Sequence, residues 1–191
     1  MILSNSEIHK ALDEKRLIIK PEPCPRVPTV GKDCPYDTHS VNLRLHNEIL
    51  VPQSGKFSID LTNPGSLAEL ITQHSTRYIL NDKQPYNLEP DEFILARTIE
   101  TIELPITNSL PHLAARIEGK SSRARLGLIV HCTAPTVHPG FRGSLTLEMA
   151  NLGPAPIVLR TGMYIAQLII EQVYGEIILN PSEFQDQSDP S

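Results

Sequence analysis

The chain has no tryptophan, only three cysteines, no long apolar run and no excess of positive charge. Each shortage excludes something. Without a run approaching the ~20 apolar residues that span a bilayer, no transmembrane helix is expected. The start, Met-Ile-Leu-Ser-Asn-Ser-Glu, lacks the basic region and apolar stretch of a secretory signal. A formal net charge of −5 argues against broad binding to nucleic acid or to an anionic membrane. Cys24, Cys34 and Cys132 are odd in number and lack metal-ligand spacing, so they read as free thiols in a reducing cytosol. A cytoplasmic protein is the resulting expectation.

What is present points to a folded β protein. Apolar residues make up 40% and charged residues 20% of the 191, a globular balance. Seventeen prolines punctuate the chain and leave little room for long helices. Many short strands joined by turns, hence a barrel or sandwich, suit that pattern. Ser4 and Glu7 have capping-box spacing, and Ile8, Ala11 and Leu12 recur at helical intervals, which predicts a helix over Ser4–Arg16. A strand follows at Leu17–Pro21, a proline-rich loop over 21–38, and a half-buried strand at Ser40–Leu45. A second short helix is predicted at Ser66–His74. Strands then dominate: Phe93–Leu104, Leu110–Ile117, Leu145–Met149, Ile157–Leu159 and Met163–Val173, with a short helix opening at Ser121 or Ser122. Residues 1–191 read as one domain with a polar tail from about 180.

Two stretches concentrate chemistry. Arg116–Leu128 gathers Lys120, Arg123 and Arg125, the hydroxyls of Ser121 and Ser122, and Gly119, as an anion site requires. It is not a P-loop, because residue 114 is Ala where the second glycine belongs. The alternative is an ordinary polar turn with solvated cations. Within thirty residues comes Glu148, in a strand-like run where it shares a face with Thr146 and Ala150. Such a carboxylate is either solvent-facing or, if the face lines a cleft, suited to proton transfer. A phosphate cradle close to an acid/base group suggests an enzyme acting on a phosphorylated small molecule. His46-Asn-Glu48 matches half of the zinc deaminase signature, but no P-C-x-x-C follows. His46 is therefore read as a surface or turn histidine, and no zinc site is expected. Phe141, after the His138-Pro-Gly turn, is read as core or as an aromatic floor beneath a sugar.

The segments Leu88–Leu95, Glu118–Leu128, Val130–Pro135, His138–Phe141, Leu145–Glu148, Asn151 and Gly162–Leu168 closely resemble the dCTP deaminase family, relatives of the trimeric dUTPases. The likeness covers nearly the whole chain. It implies a mainly β, distorted jelly-roll-like barrel with a short N-terminal helix and one or two small helices. It implies a homotrimer with active sites between subunits, and zinc-independent hydrolysis of dCTP to dUTP and ammonia. Mg2+ would accompany the triphosphate, the dUTP would feed dUMP and thymidylate synthesis, and dTTP would act as an inhibitor. Carried over by position, the resemblance makes Glu148 the proton shuttle, Ala134 the main-chain carbonyl that orients water, and Ser121 and Arg125 members of the catalytic set. Lys120, Ser121, Ser122 and Arg125 would lie beside the phosphates and the water, Arg123 and Ala124 would also bind substrate, His138, Thr146 and Leu147 would meet the sugar and base, and Gln167 and Gln187 further parts of the nucleotide.

Some positions depart from the family's commonest pattern. His138 stands where many members carry Asp, Glu183 where many carry Lys, and the tail lacks the usual upstream tyrosine. Pure dUTPase activity is disfavoured, because His138 and Phe141 occupy the places of its water-activating Asp and sugar-stacking Tyr. A bifunctional enzyme forming dUMP directly and a nucleotide-binding regulator without turnover are the alternatives.

Overall fold

In the computed structural model, the Ser4 hydroxyl accepts the Glu7 N–H at 3.5 Å and opens α1, Asn5–Asp13, as the capping spacing predicts. Ile8, Ala11 and Leu12 form its buried stripe. The helix stops short of Arg16 because Lys15 turns the chain at φ 56° and Leu17 enters the core. The structure describes residues 1–55, 59, 67–81, 83–107, 111–178 and 190.

The strands in chain order are β1 Ile18–Lys20, β2 Ser40–Pro52, β3 Ser75–Ile79, β4 Tyr86–Leu88, β5 Phe93–Glu103, β6 His112–Gly119, β7 Leu128–Ile129, β8 Thr136–Val137, β9 Arg142–Asn151, β10 Ile157–Leu159 and β11 Tyr164–Val173. The other two helices are α2, Leu67–Gln73, and α3, Ser121–Ala124. Both fall where the turn and hydroxyl signals placed them. Ser66 lies outside the described residues.

One antiparallel sheet of nine strands organises the chain, in the order β7-β9-β5-β2-β11-β6-β8, with β1 added to β5 and β3 to β2. β10 and β4 form a separate pair. The sheet curls as a half-barrel, and with three helices among the described residues the fold is mainly β, as expected. Alternation decides which side chains enter. On β9, Leu145, Leu147 and Met149 are buried while Thr146, Glu148 and Ala150 stay partly accessible. Most of the buried apolar residues form one cluster, from Leu3 to Ile170.

Two bulges correct the simpler expectation. β2 runs through His46 to Pro52, paired with β3 over Glu48–Pro52, and its register with β5 shifts between Leu45 and Ile49. His46 is thus a half-buried strand residue and not a turn histidine; its Nδ1 accepts the Glu48 N–H at 3.3 Å. On β5 the register to β9 shifts between Arg97 and Thr101. Thr98 and Glu100, both 0% exposed, share the inward face of β5 with Ile94, Ala96 and Ile102. The Thr98 hydroxyl donates to the Glu100 carbonyl at 2.7 Å and accepts the Leu145 N–H at 3.0 Å. The Glu100 carboxylate accepts from Arg44 Nε at 2.6 Å and from the Arg44 N–H at 2.9 Å.

Candidate active site

Glu148 is delivered by β9, directly opposite Leu95 of β5. Its Oε2 accepts the main-chain N–H of Cys132 at 2.9 Å, while the Cys132 sulfur lies 3.9 Å from the Glu148 carbonyl. The 131–135 segment therefore lies over the carboxylate. Its far end is tied down where the Ile117 N–H donates to the Pro135 carbonyl at 2.9 Å. Ala134 sits exposed between those two anchors. Burial pushes the Cys132 thiol above its ordinary value, and the Glu148 charge adds to that. Thr146, on the same face as Glu148, stands opposite Arg97, and its hydroxyl oxygen is buried without a partner. Leu147 is 0% exposed and points its side chain into the core.

The cation-rich turn is α3. Lys120 precedes it in extended conformation, and Arg125 closes it. Ser121, Ser122, Ala124 and Arg125 are exposed and Arg123 is half-buried. One Arg123 guanidinium nitrogen is hidden from solvent with no partner, and burial pulls this group below its ordinary value. Among the described residues, no carboxylate pairs with Arg123 or Arg125.

The turn is docked on the C-terminal end of β9. Leu128 pairs with Asn151 and Ile129 with Ala150, and the Leu152 N–H donates to the Gly127 carbonyl at 2.9 Å. Gly127, at φ 95°, lets two backbones touch, since a Cβ there would meet the Gly153 nitrogen at 2.1 Å. Asn151 locks this corner. It donates to the carbonyls of Leu88 and Ala155 and accepts the Gly153 N–H, each at 2.9 Å.

Lys120 and Gln167 meet on a neighbouring part of the sheet. Gln167 donates to the Gly119 carbonyl at 3.1 Å and accepts the Ser40 hydroxyl at 3.2 Å. Lys120 donates to the Asn42 side-chain oxygen. Sequence reading missed Asn42 and the Cys132 N–H. The alternation of Ser40–Leu45 gave Asn42 a face but no partner, and a main-chain donor leaves no side-chain signature.

His138 is not brought to this group within one chain. It sits at the opposite end of β9, its ring edge-on to Phe141 at 6.2 Å. Val137 pairs with Ala115, and Ser121 is six residues further along. At about 3.3 Å per strand residue, roughly 20 Å separates His138 from the turn. Phe141 is 6% exposed, so of its two readings the core is the one adopted. Gln187 and Glu183 lie outside the described residues. Among the described residues, no three His, Cys, Asp or Glu side chains gather as a metal site.

Residues 2–173 match the dCTP deaminase-like family over most of the chain. The chain belongs to the dCTP deaminase-like family. A relative from Dictyoglomus turgidum, named dCTP deaminase, dUMP-forming, is 40% identical over 171 residues, which cover 88% of this chain and 78% of that protein. A dCTP deaminase of Natronomonas pharaonis is 36% identical over 197 residues, covering 100% of this chain and 92% of the relative. The fold resembles the crystal structure of 2'-deoxycytidine 5'-triphosphate deaminase from Agrobacterium tumefaciens, with a TM-score of 0.65 at 20% identity. That match covers 91% of this chain, which spans about half (49%) of the solved chain. No helix among the described residues is long and apolar enough to cross a membrane.

Proposed function

We propose that the protein hydrolyses dCTP to dUTP and ammonia, with Glu148 moving the protons. The observation that carries this reading is the Glu148 carboxylate, held at one oxygen by the Cys132 N–H beneath the segment bearing Ala134. It lies on the same end of β9 as the cationic α3 turn. Water adds its oxygen to C4 of cytosine. One proton of that water passes through Glu148 to N3, leaving a tetrahedral C4 that bears a hydroxyl and the amine. Glu148 then takes the hydroxyl proton and gives it to the amine, the C4–N bond breaks, ammonia leaves, and the C4 carbonyl of uracil forms. The Ala134 carbonyl accepts from the attacking water and fixes its direction. Ser121 and Arg125 complete the catalytic set, while Lys120, Ser122 and Arg123 offset the polyphosphate charge.

The turn 120–125 carries no carboxylate. Magnesium accordingly enters as part of the substrate, bound to the triphosphate, and the deamination steps need no zinc. The distance between His138 and the α3 turn supports an active site shared between subunits, in which His138 of one chain faces the nucleotide gripped by another. A homotrimer is the assembly proposed. dTTP, the end product of the route that uses dUTP, is the proposed inhibitor, and the cytoplasm the proposed location.

A second reading has its own support: the relative at 40% identity is named for forming dUMP. In that reading the same site also releases pyrophosphate. Purified protein incubated with dCTP and magnesium separates the readings when ammonia, dUTP, dUMP and pyrophosphate are followed together. Ammonia with dUTP supports deamination alone, and dUMP with pyrophosphate supports the bifunctional enzyme. Nucleotide binding without ammonia refutes both and leaves a regulator.

A further inference from the structure

Lys120 leaves the end of β6 with its ammonium turned back onto the sheet. Nζ donates to Oδ1 of Asn42, a β2 residue that is 5% exposed. Asn42 stands directly opposite Gln167 in the β2–β11 ladder. Gln167 holds the Gly119 carbonyl, and Ser40 holds Gln167. The peptide before Lys120 and the tip of its side chain are therefore fixed to one polar row.

We propose that Asn42 is a positioning residue for polyphosphate binding: its buried amide oxygen keeps the Lys120 ammonium ordered beside the α3 turn before the anion arrives. The proposal rests on the reading of that turn as the triphosphate cradle. A lysine stem has many rotamers, and a ligand that must order it loses affinity. Asn42 removes that loss in advance. It also leaves the cation usable. An ammonium has three donors, and Asn42 engages one. Among the described residues, the nearest carboxylate, on Asp37, is half-exposed and 3.9 Å away, beyond a normal hydrogen bond. A neutral amide thus orients the charge without cancelling it. The burial of Asn42 points the same way, since a buried amide oxygen needs a donor and Lys120 supplies it.

The test compares Asn42→Leu, Asn42→Asp, Lys120→Met and the double variant Asn42→Leu/Lys120→Met, by ammonia release from dCTP and by thermal melting. Asn42→Leu keeps the volume and loses the acceptor. Its KM is expected to rise about tenfold or more with kcat within about threefold, the split expected of a lost ground-state contact. Asn42→Asp keeps an acceptor but sets a negative charge against the ammonium, so its KM is expected to stay raised about tenfold or more, and a KM as low as the parent's overturns the role given to the neutral amide. If Asn42 acts through Lys120, the double variant is no worse than Lys120→Met alone. An Asn42→Leu enzyme with unchanged KM, or single effects that multiply in the double variant, overturns the proposal. Should Asn42→Leu melt, Asn42→Ser withdraws the acceptor by one bond and serves the same comparison. Parent protein that neither binds nor deaminates dCTP removes the functional reading as well, whereas an active enzyme indifferent to Asn42 removes only this inference.

Discussion

Glu100 and Glu148 lie on adjacent strands of one sheet and have opposite surroundings. Glu100 is wholly buried, and both its oxygens are engaged by Arg44, one by the guanidinium and one by the main chain. Glu148 is half-buried and held at one oxygen by one main-chain N–H. A carboxylate bonded at both oxygens with a cation beside it serves the fold. The carboxylate steadied at one oxygen, beneath a loop and without a cation partner among the described residues, is the one assigned the proton transfers in the proposed function. The two residues look alike in sequence, each a Glu in a β-rich run. Their difference lies in what the neighbouring strands bring to them.

Substitution should split the two roles cleanly. Glu148→Gln keeps the shape and removes the proton acceptor. Ammonia release should fall by about a thousandfold, within the range attributed to a positioned acid/base group, with dCTP binding and melting temperature nearly unchanged. Activity within a few-fold of the parent would remove Glu148 from the mechanism. Glu100→Ala should do the reverse. Leaving Arg44 without its partner should cost about 3 kcal/mol in denaturant unfolding, somewhat less for the third of Arg44 that stays solvated, while the folded fraction keeps its turnover.

Smaller effects sharpen the contrast. Burial and then the Glu148 charge raise the Cys132 thiol, so alkylation at neutral pH should be slow there. Glu148→Gln should speed Cys132 modification a few-fold and leave Cys24 unchanged, as mass spectrometry of alkylated peptides would reveal. The smallest effect belongs to His46, at the β2 bulge near the Glu100 side. Burial first and Arg97 second lower its pKa from 6.5. The folded protein then binds fewer protons than the unfolded chain just below pH 6.5, so stability declines as pH falls through that window and levels off beneath the folded pKa. His46→Gln should flatten that part of a melting-temperature profile. An unchanged slope would assign it to other groups.

Much of the fold was legible because it depends on local rules. Ser4 and Glu7 cap a helix whatever surrounds them, and the alternation of Leu145, Leu147 and Met149 faces one side of any sheet. The α3 start followed from Ser121 and Ser122 after a glycine. The bulges were not legible. A shift between Leu45 and Ile49, or between Arg97 and Thr101, is decided by pairing with a partner strand, and each is by two residues, so the buried face is kept while the cross-strand partners change. His46, read as a surface or turn histidine, thus lies half-buried within β2, and the Arg44 partner of Glu100 is set by strand pairing alone. Within the candidate site, Glu148 and the 120–125 turn could be named from the chain, but not the Cys132 N–H or Asn42 that hold them.

The sequence by itself determined the strand-rich class, the capped first helix, the cationic turn and the face that Glu148 shares with Thr146 and Ala150. These need only neighbours a few residues away. Tertiary structure alone decided that Lys120 would meet Asn42, seventy-eight residues distant, and that Cys132 would cover Glu148. It also decided that His138 would lie far from the turn in its own chain. Such contacts arise from strand order and register, which are set by burying one shared core and not by any single stretch of the chain.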